Sequence, residues 1–548
     1  MYKDDKIWIG NSENGKVYIY PKMANRHGLI AGATGTGKTV TLRVLAESFS
    51  DLGVPVFFAD VKGDLAPMCR EGEATGSVGA RVEKLGLFEE GFTFKSYPVN
   101  YWDVYGKKGM PLRTTVSEMG PLLLSRILDL NDVQSSILTI IFKIADDEGL
   151  LLIDTKDLKA MIQYVGENRE NYTLNYGNIT TASLGAITRA IVALENEGGE
   201  LFLGEPAIDI KDWFSVEPGT GRGMIQILDC QELINNPRMY STFLLWMLSE
   251  LYEKLPEVGD MDKPRMVFFF DEAHMLFDTA TKALLAKIEQ VVKLIRSKGV
   301  GVYFVTQNPR DIPDGVLSQL GNKIQHALRA YTPTDQKAAK AAALSFRENP
   351  AFNTYDTLLA LGTGEAIVSV MDEKGIPTVV EKVSILPPAS SLGQLDDATR
   401  DNMIKANNLY LKYCEAFDRD SAYEFLLRQW DQMAQQAELE RQQAELEKQQ
   451  AALLKQQEKQ QAKENATLLK QQELARRAAE REKEKRAKKE AQKQNALLTS
   501  VARTTGSTVG REFGNSIGSA VGGKFGKRLG GNVGSVLGRG LLGNLFKK

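Results

Sequence analysis

Gly32-Ala33-Thr34-Gly35-Thr36-Gly37-Lys38-Thr39 is the stretch whose reading decides the fold. An apolar run, His27-Gly28-Leu29-Ile30-Ala31, leads into it, and a helix-compatible run from Val40 to Phe49 follows it. Strand, glycine-rich loop and helix form the context in which the pattern G-x-x-x-x-G-K-[ST], the P-loop, binds phosphate. Each residue type has a physical task. Glycines let the backbone wrap an anion and turn N–H groups inward, while the helix N-terminus adds a favourable field. Lys38 is expected to reach the β- and γ-phosphates and the Thr39 hydroxyl to ligate Mg²⁺, with Gly32 to Val40 forming the nucleotide cradle.

Such a loop works with an acidic strand end, and Arg265-Met266-Val267-Phe268-Phe269-Phe270-Asp271-Glu272-Ala273-His274 supplies one. Asp271 is suited to the Mg²⁺ shell, and the adjacent Glu272 to polarising an attacking water. His274 reads either as a structural residue or as a link between the site and its substrate. A further strand ends Phe304-Val305-Thr306-Gln307-Asn308-Pro309, which sets Gln307 where a polar side chain can face the γ-phosphate. The nearest approach to a guanine-reading Asn-Lys-x-Asp element is Asn322-Lys323-Ile324-Gln325, with Gln in place of the Asp. ATP is therefore expected over GTP. The Leu-Ser-Gly-Gly-Gln signature of transporter-type ATPases does not occur.

Further short apolar runs end in small or acidic residues: Pro55 to Asp60, Met224 to Asp229, Met266 to Asp271 and Val300 to Thr306. Short runs with little alternation, separated by helical sequence, read as buried parallel strands. The expected fold is α/β: a RecA-like P-loop NTPase core with a mainly parallel sheet. The stretch at about 65–222 contains a helical insertion, and Gly364 to Ile385 reads as a closing β-hairpin. Composition divides the chain into an ATPase domain at 1–420, a charged helix at 421–495 and a basic, glycine-striped tail at 496–548.

Of the 548 residues, 43% are hydrophobic and 25% charged, ordinary for a soluble globular protein. Cys69, Cys230 and Cys414 have neither metal-site spacing nor the pattern of a disulfide framework. The sequence Met1-Tyr2-Lys3-Asp4-Asp5-Lys6 opens no signal segment, and no apolar run approaches the roughly 18–20 residues of a spanning helix. The expected location is the cytoplasm.

Taken together, Thr34 to Thr39, then Asp60-Val61-Lys62-Gly63-Asp64, then Phe270-Asp271-Glu272-Ala273-His274, then Val305-Thr306-Gln307-Asn308-Pro309 resemble the HerA–FtsK superfamily of ring-forming motor ATPases. Pro111 to Gly120 is similar to the bacterial HerA-like subgroup once catalogued as a domain of unknown function, and the resemblance spans about residues 5–420. It implies a homohexamer with ATP between subunits and DNA passing through a central channel. Such rings place an arginine of one subunit at the γ-phosphate of the next. The resemblance points to Arg296, with Arg26 and Arg329 as further candidates. Only 31 residues precede Gly32, too few for the N-terminal β-barrel of archaeal HerA. The implied function is translocation or remodelling of double-stranded DNA. The alternatives are a motor acting on protein or at the membrane, and a nucleotide-switched scaffold.

Leu439, Leu446 and Leu453 recur at a spacing of seven and support a short coiled-coil seam. In the last segment glycines recur every four residues from Gly506 to Gly538, and from Arg503 onward eight Lys/Arg face one acid, Glu512. Four residues overshoot a 3.6-residue turn, so the stripe drifts around a straight helix by about 40° per repeat. Contact with an anionic membrane at its inner face, self-association and a flexible tail all fit this composition.

Overall fold

Val56–Asp60 and Met266–Phe270 are apolar at nearly every position, a pattern suited to strands covered on both faces. All ten residues are buried in the computed structural model, which describes residues 1–277 and 282–494. Among the described residues the strands are β1 (Tyr2–Lys3), β2 (Lys6–Ser12), β3 (Gly15–Ile19), β4 (Gly28–Ala31), β5 (Val56–Asp60), β6 (Val99–Asp103) and β7 (Met110–Pro111). They continue with β8 (Ile225–Asp229), β9 (Met266–Phe270), β10 (Val300–Thr306), β11 (Asn322–His326), β12 (Glu365–Ser369) and β13 (Glu381–Ile385).

They form one sheet in the order β1-β2-β13-β12-β11-β4-β10-β9-β5-β8-β6-β7, with β3 on β2. From β11 to β7 the neighbours run parallel, and from β12 outward they pair antiparallel. Parallel pairing sends the C-terminal ends of β4, β10, β9, β5, β8 and β6 to one edge. All the phosphate-loop signals of the sequence therefore emerge side by side.

Aromatic rings fill the centre. Phe58 stacks on Phe269 at 5.0 Å, and Phe57 lies 5.3 Å from Phe268 and 4.6 Å from Trp213. Each such side chain contributes about 1.5–3 kcal/mol by burial, which makes the strands a rigid base for the loops they carry. Helix α1 (Lys38–Asp51) follows the phosphate loop. Its Glu47 is buried and accepts hydrogen bonds from the amides of Ala389 at 2.8 Å and Ser390 at 3.0 Å. Arg43, fully buried one turn earlier, donates to the carbonyls of Ser391 and Asp64. These contacts tie α1 to the segment that follows β13.

The stretch read as a helical insertion is mainly helical from Val116 to Phe202, but it also contributes β6 and β7 to the sheet. Asn100 conceals the strand in the sequence; in the structure its buried amide donates to Gln226 Oε1 at 3.1 Å on the neighbouring β8. Inside the insertion, Asn131 and Gln134 form a reciprocal capping box at the start of helix Asp132–Glu148, and Gly149 ends it in the left-handed region. Ahead of the phosphate loop, β2 and β3 form a further hairpin that turns near Asn14-Gly15. The hairpin after Gly364 forms as expected, with β12 and β13 antiparallel.

The chain divides into two units, residues 1–435 and 436–548. The helix Ala422–Gln494 begins in the first, where Trp430 Nε1 donates to Glu167 at 2.9 Å and Ser421 Oγ to Asp157 at 2.6 Å. In the second unit the described residues continue this helix, and Leu439, Leu446 and Leu453 stand exposed. No helix among the described residues is long and apolar enough to cross a membrane. The glycine stripe from Gly506 to Gly538 lies outside the described residues.

Candidate functional site

The loop from Gly32 to Gly37 leaves β4 and turns into α1 through three glycines at positive φ: Gly32 (153°), Gly35 (77°) and Gly37 (115°). Side chains resist this backbone path, which is why the pattern demands glycine. Thr34 and Gly35 are exposed at the tip, Thr36 is buried, and Ala33, Thr39 and Val40 are partly exposed. The loop is pinned to its neighbours: Gly32 N donates to Thr306 O at 3.3 Å and Ala33 N to Ala327 O at 2.9 Å. Its far side rests on the 362–364 turn. There Gly364 N donates to Thr36 O at 3.0 Å, and Arg81 bridges Gly364 O and Ile385 O, both at 2.6 Å.

Lys38 is buried, and its ammonium donates to the carbonyls of Gly32 at 2.6 Å and Ala33 at 3.2 Å. Burial lowers its pKa, and the nearby Lys62 lowers it further, while Glu272 and Asp271 oppose this. The lysine therefore lies within electrostatic reach of both acids.

Asp271 closes β9. Burial raises its carboxyl to about 6, against a lowering by Lys62, and the Tyr240 hydroxyl donates to its backbone carbonyl at 2.7 Å. Glu272 next to it adopts φ 46°, in the left-handed region that non-glycine residues rarely occupy. Three bonds hold the turn: Glu272 N to Asp271 Oδ1 at 2.9 Å, Ala273 N to Val305 O at 2.9 Å, and Met275 N to Glu272 O at 3.0 Å. Strain held at one acidic residue is a feature of functional sites.

Around the Glu272 carboxylate stand groups from three elements. Gln307 Nε2, just past β10, donates to both oxygens in long bonds of 3.4 and 3.5 Å. His274 Nδ1 lies 3.4 Å from Oε2, and Lys62 Nζ 3.7 Å from Oε1. Since β10 lies between β4 and β9 in the sheet, Gln307 sits between the phosphate loop and the acidic pair. A buried carboxylate steered by an amide, beside a lysine and a glycine-lined anion cradle, has the parts needed to activate water against a bound phosphate. Thr39 and Asp271 are oxygen donors of the kind Mg²⁺ takes, which fits the metal.

The sequence did not single out His326, at the end of β11. Its Nδ1 faces Glu365 O at 2.9 Å and its Nε2 faces Thr41 Oγ1 at 2.8 Å. Because a carbonyl only accepts, Nδ1 carries the proton and the Thr41 hydroxyl donates to Nε2. Burial lowers the pKa of this ring to about 4, so it is neutral at pH 7. Asp60, quoted in the sequence only as part of a motif, accepts from the amides of Lys62 (3.2 Å), Gly63 (2.8 Å) and Leu65 (3.0 Å) and shapes the loop that delivers Lys62.

The arginine candidates lie elsewhere. Arg296 follows helix Lys282–Ile295, and Arg26 stands ahead of β4. Both lie at the N-terminal edge of the sheet, close enough that Arg26 lowers the pKa of Arg296, second to burial. Arg296 reaches Asp260 at 3.9 Å. The seven-residue β10 separates Arg296 from Gln307 by about 20 Å. Neither arginine meets the phosphate loop of its own chain. Arg329 is exposed beyond the C-terminal end of β11.

The family model described as "Helicase HerA-like C-terminal" matches residues 6–528. The chain belongs to this HerA-like family. A probable helicase of Methanocaldococcus jannaschii is 34% identical over 125 residues, 22% of each chain. The DNA double-strand break repair helicase HerA of Sulfurisphaera tokodaii is 23% identical over 376 residues, 67% of each. The HerA-like chain thus spans about a fifth of the first relative's length and two thirds of the second's. Among solved structures, VirB4 of Thermoanaerobacter pseudethanolicus superposes with a TM-score of 0.46 at 18% identity, covering 70% of this chain and 97% of that one.

Proposed function

We propose that this HerA-like chain is an ATP-hydrolysing ring motor that translocates or remodels double-stranded DNA, acting as a homohexamer with ATP and Mg²⁺ held between subunits. The observation that carries the reading is the opposition of two sheet edges: Lys38, Asp271, Glu272 and Gln307 at one, Arg26 and Arg296 at the other. A ring that sets one subunit's N-terminal edge against the next subunit's phosphate loop completes the site, adding Arg26 or Arg296 of one subunit to the Lys38 and Lys62 of the next. In this reading Lys38 grips the β- and γ-phosphates, and Thr39 and Asp271 hold the metal. Bound Mg²⁺ supplies neutralisation of phosphate charge. Glu272 takes the proton of the attacking water and Gln307 positions that water against the γ-phosphate. Similarity to the S. tokodaii protein, a DNA double-strand break repair helicase, supports DNA as the polymer.

A second reading, a motor acting on protein or peripherally at the inner face of the membrane, draws on the basic, glycine-striped sequence after Arg503. One experiment separates the two: ATP hydrolysis by the full chain with duplex DNA, single strands or anionic liposomes, alongside Lys38→Ala and Glu272→Gln. Stimulation by duplex DNA that both variants abolish is expected. Stimulation by liposomes alone, lost without residues 497–548, would replace the DNA reading. Indifference to every addition would make the protein a nucleotide-switched scaffold.

A further inference from the structure

Five adjacent strands, β10-β9-β5-β8-β6, each add one polar residue just past the C-terminal end to a single row: Gln307, Glu272, Lys62, Gln231 and Lys108. Every neighbouring pair is in contact. Gln307 Nε2 donates to Glu272 at 3.4 Å, and Lys62 Nζ lies 3.7 Å from the same carboxylate. Gln231 Nε2 donates to the backbone carbonyl of Lys62 at 2.7 Å, and Lys108 Nζ donates to Gln231 Oε1. A Cβ added to Gly63, at φ 74°, would stand 2.0 Å from Gln231 Nε2, so the Gln231 amide packs directly on the Lys62–Gly63 peptide.

The loops that hold this row are shaped by the aspartates that end their strands. Asp60 shapes the Lys62 loop as described, and Asp229 Oδ1 accepts from Gln231 N at 3.1 Å. Asp103 accepts from the amides of Tyr105 at 2.9 Å and of Lys107 and Lys108 at 2.8 Å. The far end of the row is therefore a preformed loop, Tyr105-Gly106-Lys107-Lys108-Gly109, bearing two lysines between glycines. Lys107 is 60% exposed and paired with Glu232 at 2.7 Å. A pair this exposed holds weakly, so a phosphate can draw Lys107 from Glu232, and the half-buried Lys108 beside it has a neutral amide oxygen as its partner, a weaker acceptor than a phosphate.

We infer that the Tyr105–Gly109 loop grips the phosphate backbone of nucleic acid and that Gln231 and Lys62 relay the contact to Glu272. The inference rests on the DNA-motor reading. Phosphate capture of Lys108 removes the donor to Gln231 Oε1, Gln231 loosens its hold on the Lys62 carbonyl, and the Lys62 ammonium leaves Glu272. The carboxylate is then held by Gln307 alone among the residues of the row. Gln231 is a positioning residue here, remote from the phosphate loop.

The test compares the full-length wild type with Gln231→Ala, Lys108→Ala and Lys107→Ala/Lys108→Ala. ATP hydrolysis is measured with and without duplex DNA, and DNA affinity is measured by anisotropy across salt concentrations. Gln231→Ala is expected to bind DNA within twofold of wild type while the ratio of stimulated to basal rate falls at least threefold. Lys108→Ala should lose the same ratio and, combined with Gln231→Ala, should cause little further loss, the non-additivity of a shared relay. The double lysine variant should reduce the log–log salt slope by about 2 for each protomer touching DNA. Undiminished stimulation in both Gln231→Ala and Lys108→Ala overturns the relay while leaving the motor reading intact. Absence of DNA binding and stimulation in the wild type overturns both. Equal stimulation by poly-glutamate would overturn the assignment to nucleic acid.

Discussion

His326 Nε2 accepts a hydrogen bond from Thr41 Oγ1 at 2.8 Å, joining the end of a strand to the first turn of the helix that follows the phosphate loop. The ring is buried and its pKa lies near 4, against about 6.5 when unfolded. Between those values the unfolded chain binds a proton that the folded chain does not. Stability contributed by His326 therefore falls as pH drops from about 6.5 to 4. Relative to His326→Gln, which does not titrate, the wild type should lose up to roughly 3 kcal/mol over this window. Urea denaturation of both proteins at pH 7.5 and 4.5 measures the difference, and an unchanged gap would refute it.

Gly32 faces the same histidine. A Cβ there would lie 2.5 Å from His326 Cβ and 3.0 Å from Thr36 Oγ1. Gly32→Ala should destabilise the fold by about 1–3 kcal/mol through overpacking and should weaken nucleotide binding, because the loop cannot keep its path. Thermal melting with and without ATP reports both effects, and a wild-type shift on adding nucleotide would contradict the expectation.

Gln307 and Glu272 touch, but their tasks differ. Glu272→Gln removes the only strong base of the pair and should lower kcat by about 10²–10⁴. Gln307→Ala removes a positioning amide and should lower kcat by about 10–100-fold, with KM for ATP within about threefold. Steady-state kinetics on both variants decide this, and a Gln307→Ala enzyme altered only in KM would assign the residue to ground-state binding.

Arg296 and Lys38 lie at opposite edges of one sheet, so the site is expected to draw them from different subunits. Arg296→Ala and Lys38→Ala should each be nearly inactive alone. Mixed and reassembled in equal amounts, they should restore activity at about a quarter of interfaces, where intact Lys38 meets intact Arg296. No recovery in mixed rings, with assembly verified by light scattering, would mean that Arg296 acts otherwise. The same experiment with Arg26→Ala ranks the two arginines.

The phosphate loop, the Asp271-Glu272 pair, Gln307 and the parallel strands were readable from sequence because their constraints are local. A loop that turns through positive φ favours glycine, as at Gly37, and a short apolar run that ends in an acidic residue reads as a strand buried on both faces, as at Met266–Phe270. Those constraints act between residues a few positions apart. Three features came only from tertiary structure, since their partners lie far apart in the chain. His326 meets Thr41 across 285 positions. The strand Val99–Asp103 is hidden by a polar Asn100 until Gln226 supplies its partner. The row from Gln307 to Lys108 joins segments spread over 200 residues, and it exists because parallel pairing delivers every strand's C-terminal end to one edge. By itself the sequence determined that a P-loop, an acidic strand end and a following polar strand end occur in one chain, the parts that a phosphate-holding, water-activating site needs. Only the order of strands in the sheet decided which residues surround Glu272, because adjacency across a sheet follows from packing, not from position in the chain.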